Sequence, residues 1–280
     1  MKPLLRSVLP GVFVLTVLVL GACGTYAPAP TSASGTPETG VDPTEGSSTQ
    51  TSAATQPPTQ PGSPYGLVDS LDRVETPPDG LVFYGTLAWT DPMIPPYGAS
   101  AVLAGVTDAN GKEITFGDAD PGKSPADGEL RQYWAYKLNE TDVATPVKLS
   151  MQVKATLPAD GGSFTFDPGA SPKVGQQWDV RQDVTINAKT IHVLSAQETG
   201  TDGFFVFTMQ SDSDIVGATI TDLAHPPLGG GGGTAGPSVQ GAPFPSAFGY
   251  QTPLPQGPFT FTFTDVQVLV PGDWGLTWAP

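Results

Sequence analysis

The 280 residues contain one cysteine and two histidines. A single thiol cannot form an intrachain disulfide, so the chain is not a disulfide-stapled scaffold and its stability must come from a packed core. Two imidazoles, His192 and His225, leave little material for His-rich zinc constellations or for Ser-His-Asp catalysis. No Gly-x-Ser-x-Gly, Ser-x-x-Lys or His-Glu-x-x-His motif occurs, and no phosphate-cradling glycine loop. Basic residues are scarce as well, with 12 Lys and Arg against 27 Asp and Glu. A surface of that sign repels phosphate backbones, which argues against nucleic acid as a partner. The apolar run Val8 to Leu20 is too short for the ~20 residues a membrane-spanning helix needs. Nowhere is a 3.6-residue apolar period sustained, so helices are expected to be rare.

What is present begins at the amino end. The run from Val8 follows Lys2 and Arg6 and closes on Leu20-Gly21-Ala22-Cys23, so a positive end, an apolar stretch and two small residues precede the only cysteine. These residues resemble the lipobox of bacterial lipoproteins. The resemblance implies that residues 1–22 are a signal peptide, and that Cys23 is diacylated through its sulfur and becomes the new amino terminus. Two or three acyl chains hold a protein on a bilayer where one is marginal, because each buried methylene contributes about 0.8 kcal/mol. The expected location is the extracytoplasmic side of the cell membrane, anchored by lipid and not spanning. Removing Lys2 and Arg6 leaves 10 basic against 27 acidic residues, a formal charge of −17.

Residues 23–64 read as a disordered linker. Of the 41 residues after Cys23, 33 are Thr, Ser, Pro, Gly or Ala, which offer little apolar surface to offset the ~1–2 kcal/mol per residue that ordering a backbone costs. Stretched out at up to ~3 Å per residue, such a tether reaches on the order of 100 Å from the membrane.

Past Tyr65 the apolar period becomes two. Leu81, Phe83, Leu87 and Trp89 share one parity, and Val147, Leu149, Met151 and Val153 alternate with Lys148, Ser150, Gln152 and Lys154. Ala99–Val106 and Lys112–Phe116 flank Asp108-Ala109-Asn110-Gly111, a hairpin signal. Arg131–Leu138 and Ser163–Asp167 complete a first group. In a second group, Trp178–Ile186 and Thr190–Gln197 meet at Asn187-Ala188-Lys189, where the apolar parity resets. Gly203–Gln210 and Ile215–Leu223 make another pair. Phe259, Phe261 and Phe263 precede Val266, Val268 and Val270 at the opposite parity, which places a bulge at Asp265. Trp274 and Trp278 are expected on a last strand, capping the core. The fold class that follows is all-β: two tandem immunoglobulin-like β-sandwiches, 65–172 and 173–280, after the tether.

The second group, from Gly175-Gln176-Gln177-Trp178 through Val184–Val193 to Pro271-Gly272-Asp273-Trp274, resembles extracellular domains of bacterial anti-sigma-factor-like membrane proteins. The resemblance implies an immunoglobulin-like fold outside a membrane. The chain departs from those proteins in having neither their membrane helix nor their sigma-binding part, so regulatory activity is not carried over.

No cofactor and no metal is expected. Asp108, Asn110, Asp118 and Asp120 are the candidates for calcium, which takes oxygen ligands at short spacing, but the same residues populate turns because their side chains bond nearby amides. Between Asp222 and Asp265 there is no Lys, Arg, Asp or Glu. Residues 224–257 read as a flexible loop on which Phe244, Phe248 and Tyr250 are candidate contacts for a glycan or protein. The expected function is a non-catalytic binding, sensing or surface-structural module, joined to the membrane by its lipid and facing a cell-wall or protein partner. The competing class is an extracytoplasmic hydrolase, a glycosidase or esterase, working through a carboxylate pair.

Overall fold

The computed structural model describes residues 64–199, 203–225, 229–233, 236–250, 254 and 256–280. The expected signal peptide, Cys23 and the linker up to residue 63 lie outside the described residues. After a 3₁₀ turn at Pro64–Gly66 come β1 (Val68–Glu75), β2 (Val82–Ala88), β3 (Ala99–Thr107), β4 (Phe116–Asp118), β5 (Arg131–Leu138), β6 (Val147–Pro158), β7 (Ser163–Phe166) and β8 (Gln177–Ile186). Then follow β9 (Lys189–Glu198), β10 (Phe204–Gln210), β11 (Ile215–Asp222), β12 (Gly229–Gly232), β13 (Phe244–Gly249), β14 (Phe259–Leu269) and β15 (Gly275–Trp278). The described body is all-β, a sandwich fold built from three antiparallel sheets.

The pattern of two explains the strands. Phe83, Leu87 and Trp89 are buried on one face, as are Val147, Leu149 and Val153 on β6. Asn187 and Ala188 take φ of 49° and 59°, the left-handed pair that a two-residue hairpin needs, and Ile186 pairs with Lys189 across it. On β14 the parity flips as expected. Thr219 pairs with Asp265 and Ile220 with Phe263, leaving Thr264 as the extra residue, so Phe259, Phe261 and Phe263 and then Val266 and Val268 all face the core. The Asp108–Gly111 turn also forms, with Gly111 at φ 77°, but beyond it Lys112–Phe116 contributes a single bridge, Thr107 to Glu113, before β4 leaves to pair with β5.

The division at 172/173 is corrected by the pairing. One sheet has the order β1-β2-β5-β4 and another β12-β13-β10-β9-β8, and between them a central sheet, β11-β14-β6-β15 with β3 on β6 and β7 on β14, draws strands from both sides of residue 172. β6 carries β3 along one edge; its other edge pairs with β14 at Lys154–Pro158 and with β15 at Val147–Ser150. The first outer sheet packs on the central one through Phe83 against Trp278, ring centroids 5.7 Å apart. The second outer sheet packs through Phe207 on Phe261 at 5.0 Å and Phe248 on Phe261 at 4.9 Å. These contacts belong to a single contiguous core. Two sandwiches therefore share one sheet and are not tandem units. β10 and β11, expected as a pair, enter opposite sheets: β10 between β9 and β13, β11 beside β14.

Residues 224–257 are also corrected. β12 and β13 lie within them and pair from Gly229 with Gly249 to Gly232 with Ser246. At Gly232 the sheets close backbone on backbone: a Cβ there would stand 1.9 Å from the Ala218 carbonyl oxygen. Side-chain amides finish several backbone positions that no strand reaches. Gln182 accepts from Thr165 N–H at 3.1 Å and donates to its carbonyl at 2.6 Å, and Gln152 does the same for Ser238 at 2.6 and 2.8 Å. Along β3 the Ala101 N–H donates to Gln132 and the Leu103 N–H to the Tyr136 hydroxyl, both at 3.1 Å.

Candidate functional site

The concave feature that the central sheet offers is an open groove across β3, β6 and β15. Two adjoining clefts of about 580 and 730 Å³ share Ala104 and Ser150. Outward-facing residues of β6 build it because Val147, Leu149 and Val153 commit the opposite face to the core. One end is lined by Glu113, Lys148, Asp273 and Thr277. The other is lined by Gln152, Gln240, Trp274 and the Lys189–Asp214 pair, whose Nζ and Oδ1 are 2.5 Å apart. A strap at 236–240 walls that second end. Gln152 holds Ser238, and the Lys154 ammonium donates to the Gly236 carbonyl at 2.6 Å. Burial pulls the Lys154 pKa below the ordinary lysine range. Amides, hydroxyls and mixed charges beside an apolar wall are the means of recognising a polar, hydroxyl- or amide-rich ligand; Trp274 belongs to that wall, buried and with its Nε1–H donating to the Val270 carbonyl at 3.0 Å. Neither cleft is lined by an imidazole among the described residues.

The histidines lie elsewhere, each beside carboxylates. His192 faces outward from β9 between two acids, its Nδ1 2.7 Å from Asp183 Oδ1 and its Nε2 3.7 Å from Asp212 Oδ2. The hydrogen bond that its Nδ1–H donates to Asp183 raises its pKa. Those two carboxylates are 72% and 89% exposed, on an open strand face. His225 Nδ1 meets Asp222 Oδ2 at 3.0 Å, and the Tyr250 hydroxyl donates to the same oxygen at 2.8 Å. The Ala224 and His225 amides donate to Asp222 Oδ1 at 2.9 and 3.3 Å. Burial works against the Asp222 charge, yet bonds from His225, Tyr250 and the Ala224 amide outweigh it and hold the carboxyl below its ordinary range. Tyr250, buried and facing that charge, is pushed well above the ordinary phenol range. The cluster pins the end of β11 to the end of β13.

Asp69, like Asp222, is a buried acid. It shares the inner face of β1 with Leu71, accepts from Trp134 Nε1–H at 2.8 Å, and its Oδ2 has no hydrogen-bond partner among the described residues. Burial, opposed by the Trp134 bond, pushes its pKa up to about 7.

The residues that the sequence singled out fall in other places. Asp108 Oδ1 accepts the Asn110 and Lys112 amides at 2.8 and 2.9 Å, and Asp120 Oδ1 accepts the Gly122 amide at 2.8 Å, so both acids work as turn formers. Asp118 sits on β4. Among the described residues no group of three His, Cys, Asp or Glu is placed to hold a metal, and the four calcium candidates are not brought together. The contact role of Phe244, Phe248 and Tyr250 is overturned, since they are 2%, 0% and 4% exposed. They alternate with Pro245, Ala247 and Gly249, and a strand buries that parity in the core. Sequence reasoning missed the groove, which needs β3, β6 and β15 side by side. It also missed the Asp222–His225–Tyr250 cluster, whose signal was Asp and His three apart, with Tyr250 joining only through the fold. No family model, curated protein or solved structure matches the chain.

Proposed function

We propose that the protein is a lipid-anchored, extracytoplasmic binding module without catalytic activity, carried on a low-complexity tether and recognising a polar ligand in the groove of its central sheet. The observation that carries the reading is Leu20-Gly21-Ala22-Cys23, in which the chain's only cysteine ends a signal-like apolar run. The open groove of mixed polar and apolar lining supports the binding role, and the placement of both histidines away from it supports a non-catalytic one. The net charge of −15 supports an extracytoplasmic partner that is a neutral polymer such as cell-wall glycan, or a protein, and not nucleic acid.

The test is the mass of the amino-terminal peptide from protein made in a bacterial host, together with membrane fractionation of Cys23→Ser. The expected results are a diacylglyceryl-modified Cys23 and release of the variant into the soluble fraction. An unmodified amino terminus, or a variant held as firmly as the parent, overturns the anchor.

A further inference from the structure

Six large hydrophobic residues are exposed among the described residues, and three of them gather at one end of the body. Met93 and Tyr97, 58% and 63% exposed, project from the β2–β3 loop, and Val68, 39% exposed, begins β1 beside it. The topology sets Val68 beside the start of that loop. Val68 pairs with Ala88 at the end of β2, and the Asp91 amide donates to the Tyr65 carbonyl at 3.3 Å, so the loop stands where the chain enters the fold at Pro64. Pro92, Pro95 and Pro96 are exposed on the same loop, and no charged residue occurs between Asp91 and Asp108. In a chain of net charge −15 this is an apolar tip bounded by Asp91, with the Tyr97 hydroxyl donating to the Pro125 carbonyl at 3.5 Å.

The loop is also held stiffly in that display. Ile94 is fully buried as a peg, its carbonyl accepts from Trp89 Nε1–H at 3.2 Å, and Asp91 Oδ1 accepts the Met93 amide at 2.9 Å. A turn from the Gly98 amide to the Pro95 carbonyl at 2.8 Å and a bond from the Thr156 amide to the Gly98 carbonyl at 2.6 Å fix its far side. Tyr97 is kept at φ 62°, a conformation that aromatic residues seldom adopt and that gathers at functional positions. A slack loop would fold its apolar residues away from water. This one cannot.

We infer that the 92–97 loop is a membrane-interface contact by which the anchored body rests on the bilayer. The inference rests on the lipid anchor proposed above and follows from where the chain outside the described residues joins the body. Forty-one residues separate Cys23 from Tyr65; a flexible tether of that length has an end-to-end distance of about 35 Å, and one of that kind would keep the loop near the surface at an effective concentration in the millimolar range. At that concentration a weak insertion suffices, and a methionine, a tyrosine and three prolines need no cationic lipid partner. Tyrosine is suited to the headgroup level, with an apolar ring and a wet hydroxyl.

The experiment places the full-length acylated protein on phosphatidylcholine vesicles with brominated acyl chains, which quench tryptophan on contact. Met93→Trp is compared with Val174→Trp, a residue 55% exposed on the β7–β8 connection. The expected result is quenching of the added indole at position 93 and none at 174. It is expected to fall several-fold when Tyr97→Asn, which tolerates the positive φ, is combined with Met93→Trp. Equal quenching at 93 and 174 with the protein sedimenting on the vesicles overturns the loop contact, leaves the anchor standing and turns the patch toward a protein. If the protein fails to sediment because Cys23 is unmodified, the anchor reading falls. Coupling the free Cys23 thiol to a maleimide lipid then restores attachment, and the same comparison decides the loop.

Discussion

Asp69→Asn isolates what a buried carboxylate costs this fold. The native acid lies on the inner face of β1, 8% exposed, with Trp134 Nε1–H at 2.8 Å its side-chain donor, and its pKa stands at about 7 against an ordinary 3.8. Between those values the unfolded chain has already released a proton that the native state keeps, so the unfolded state binds fewer protons and stability falls as pH rises. The contribution is fully present below about pH 4 and lost above about pH 7. At about 1.4 kcal/mol for each pH unit, the span amounts to about 4 kcal/mol. Asparagine imitates the protonated acid: its Oδ1 still accepts from Trp134, and its amide replaces a carboxyl O–H that also lacks a partner. The variant should therefore match the parent near pH 4 and exceed it by about 3–4 kcal/mol at pH 8. Urea unfolding at both pH values measures the difference, with a rise in midpoint of about 1–2 M at pH 8. All other titrating groups are common to both proteins, so the gap between the two curves is the observable. A gap that stays constant from pH 4 to pH 8, whatever its size, refutes the reasoning.

Gly85→Ala places a Cβ 2.0 Å from Trp134 Cζ2 and 2.4 Å from the Ser70 carbonyl oxygen, neither of which can yield freely. A loss of about 2–3 kcal/mol in chemical unfolding is expected, with an altered near-UV tryptophan signal. Ala188→Gly relieves a left-handed alanine at φ 59° in the β8–β9 turn. It should stabilise by about 0.5–1 kcal/mol and raise the Tm by about 2–4 °C in calorimetry. Asp183→Asn removes the hydrogen bond that lifts the His192 pKa, so the imidazole should titrate at lower pH by NMR, and an unmoved titration would show that Asp183 is not its cause.

Much of the strand content was legible because a half-buried strand writes its burial as alternation. The parity change between Phe263 and Val266 even located the bulge to within one residue. Which strand lies beside which was not legible. Alternation reports the buried face and carries no label for the neighbour, so β10 and β11 passed for a pair and the β6–β14 pairing that erases the boundary at 172 stayed hidden. β12 left no trace, because glycine has no side chain to alternate. That blank, set beside uncharged sequence, made Phe244, Phe248 and Tyr250 look like loop aromatics. The buried acids were equally silent, since Asp69 and Asp222 resemble any other aspartate until Trp134 or Tyr250 is brought against them by the fold.

The shared central sheet also sets the order in which the protein can be completed. β6 ends at Pro158, yet the strands that cover its second edge begin at Phe259 and Gly275. A chain made from its amino end delivers the first half early, with the edge of its longest strand bare, and closes only when β14 and β15 arrive. Such distant pairing folds slowly and exposes a sticky edge in the interval. A truncation that removes the carboxy-terminal strands should therefore strip the amino-terminal half of its partner as well, leaving neither sandwich able to stand alone.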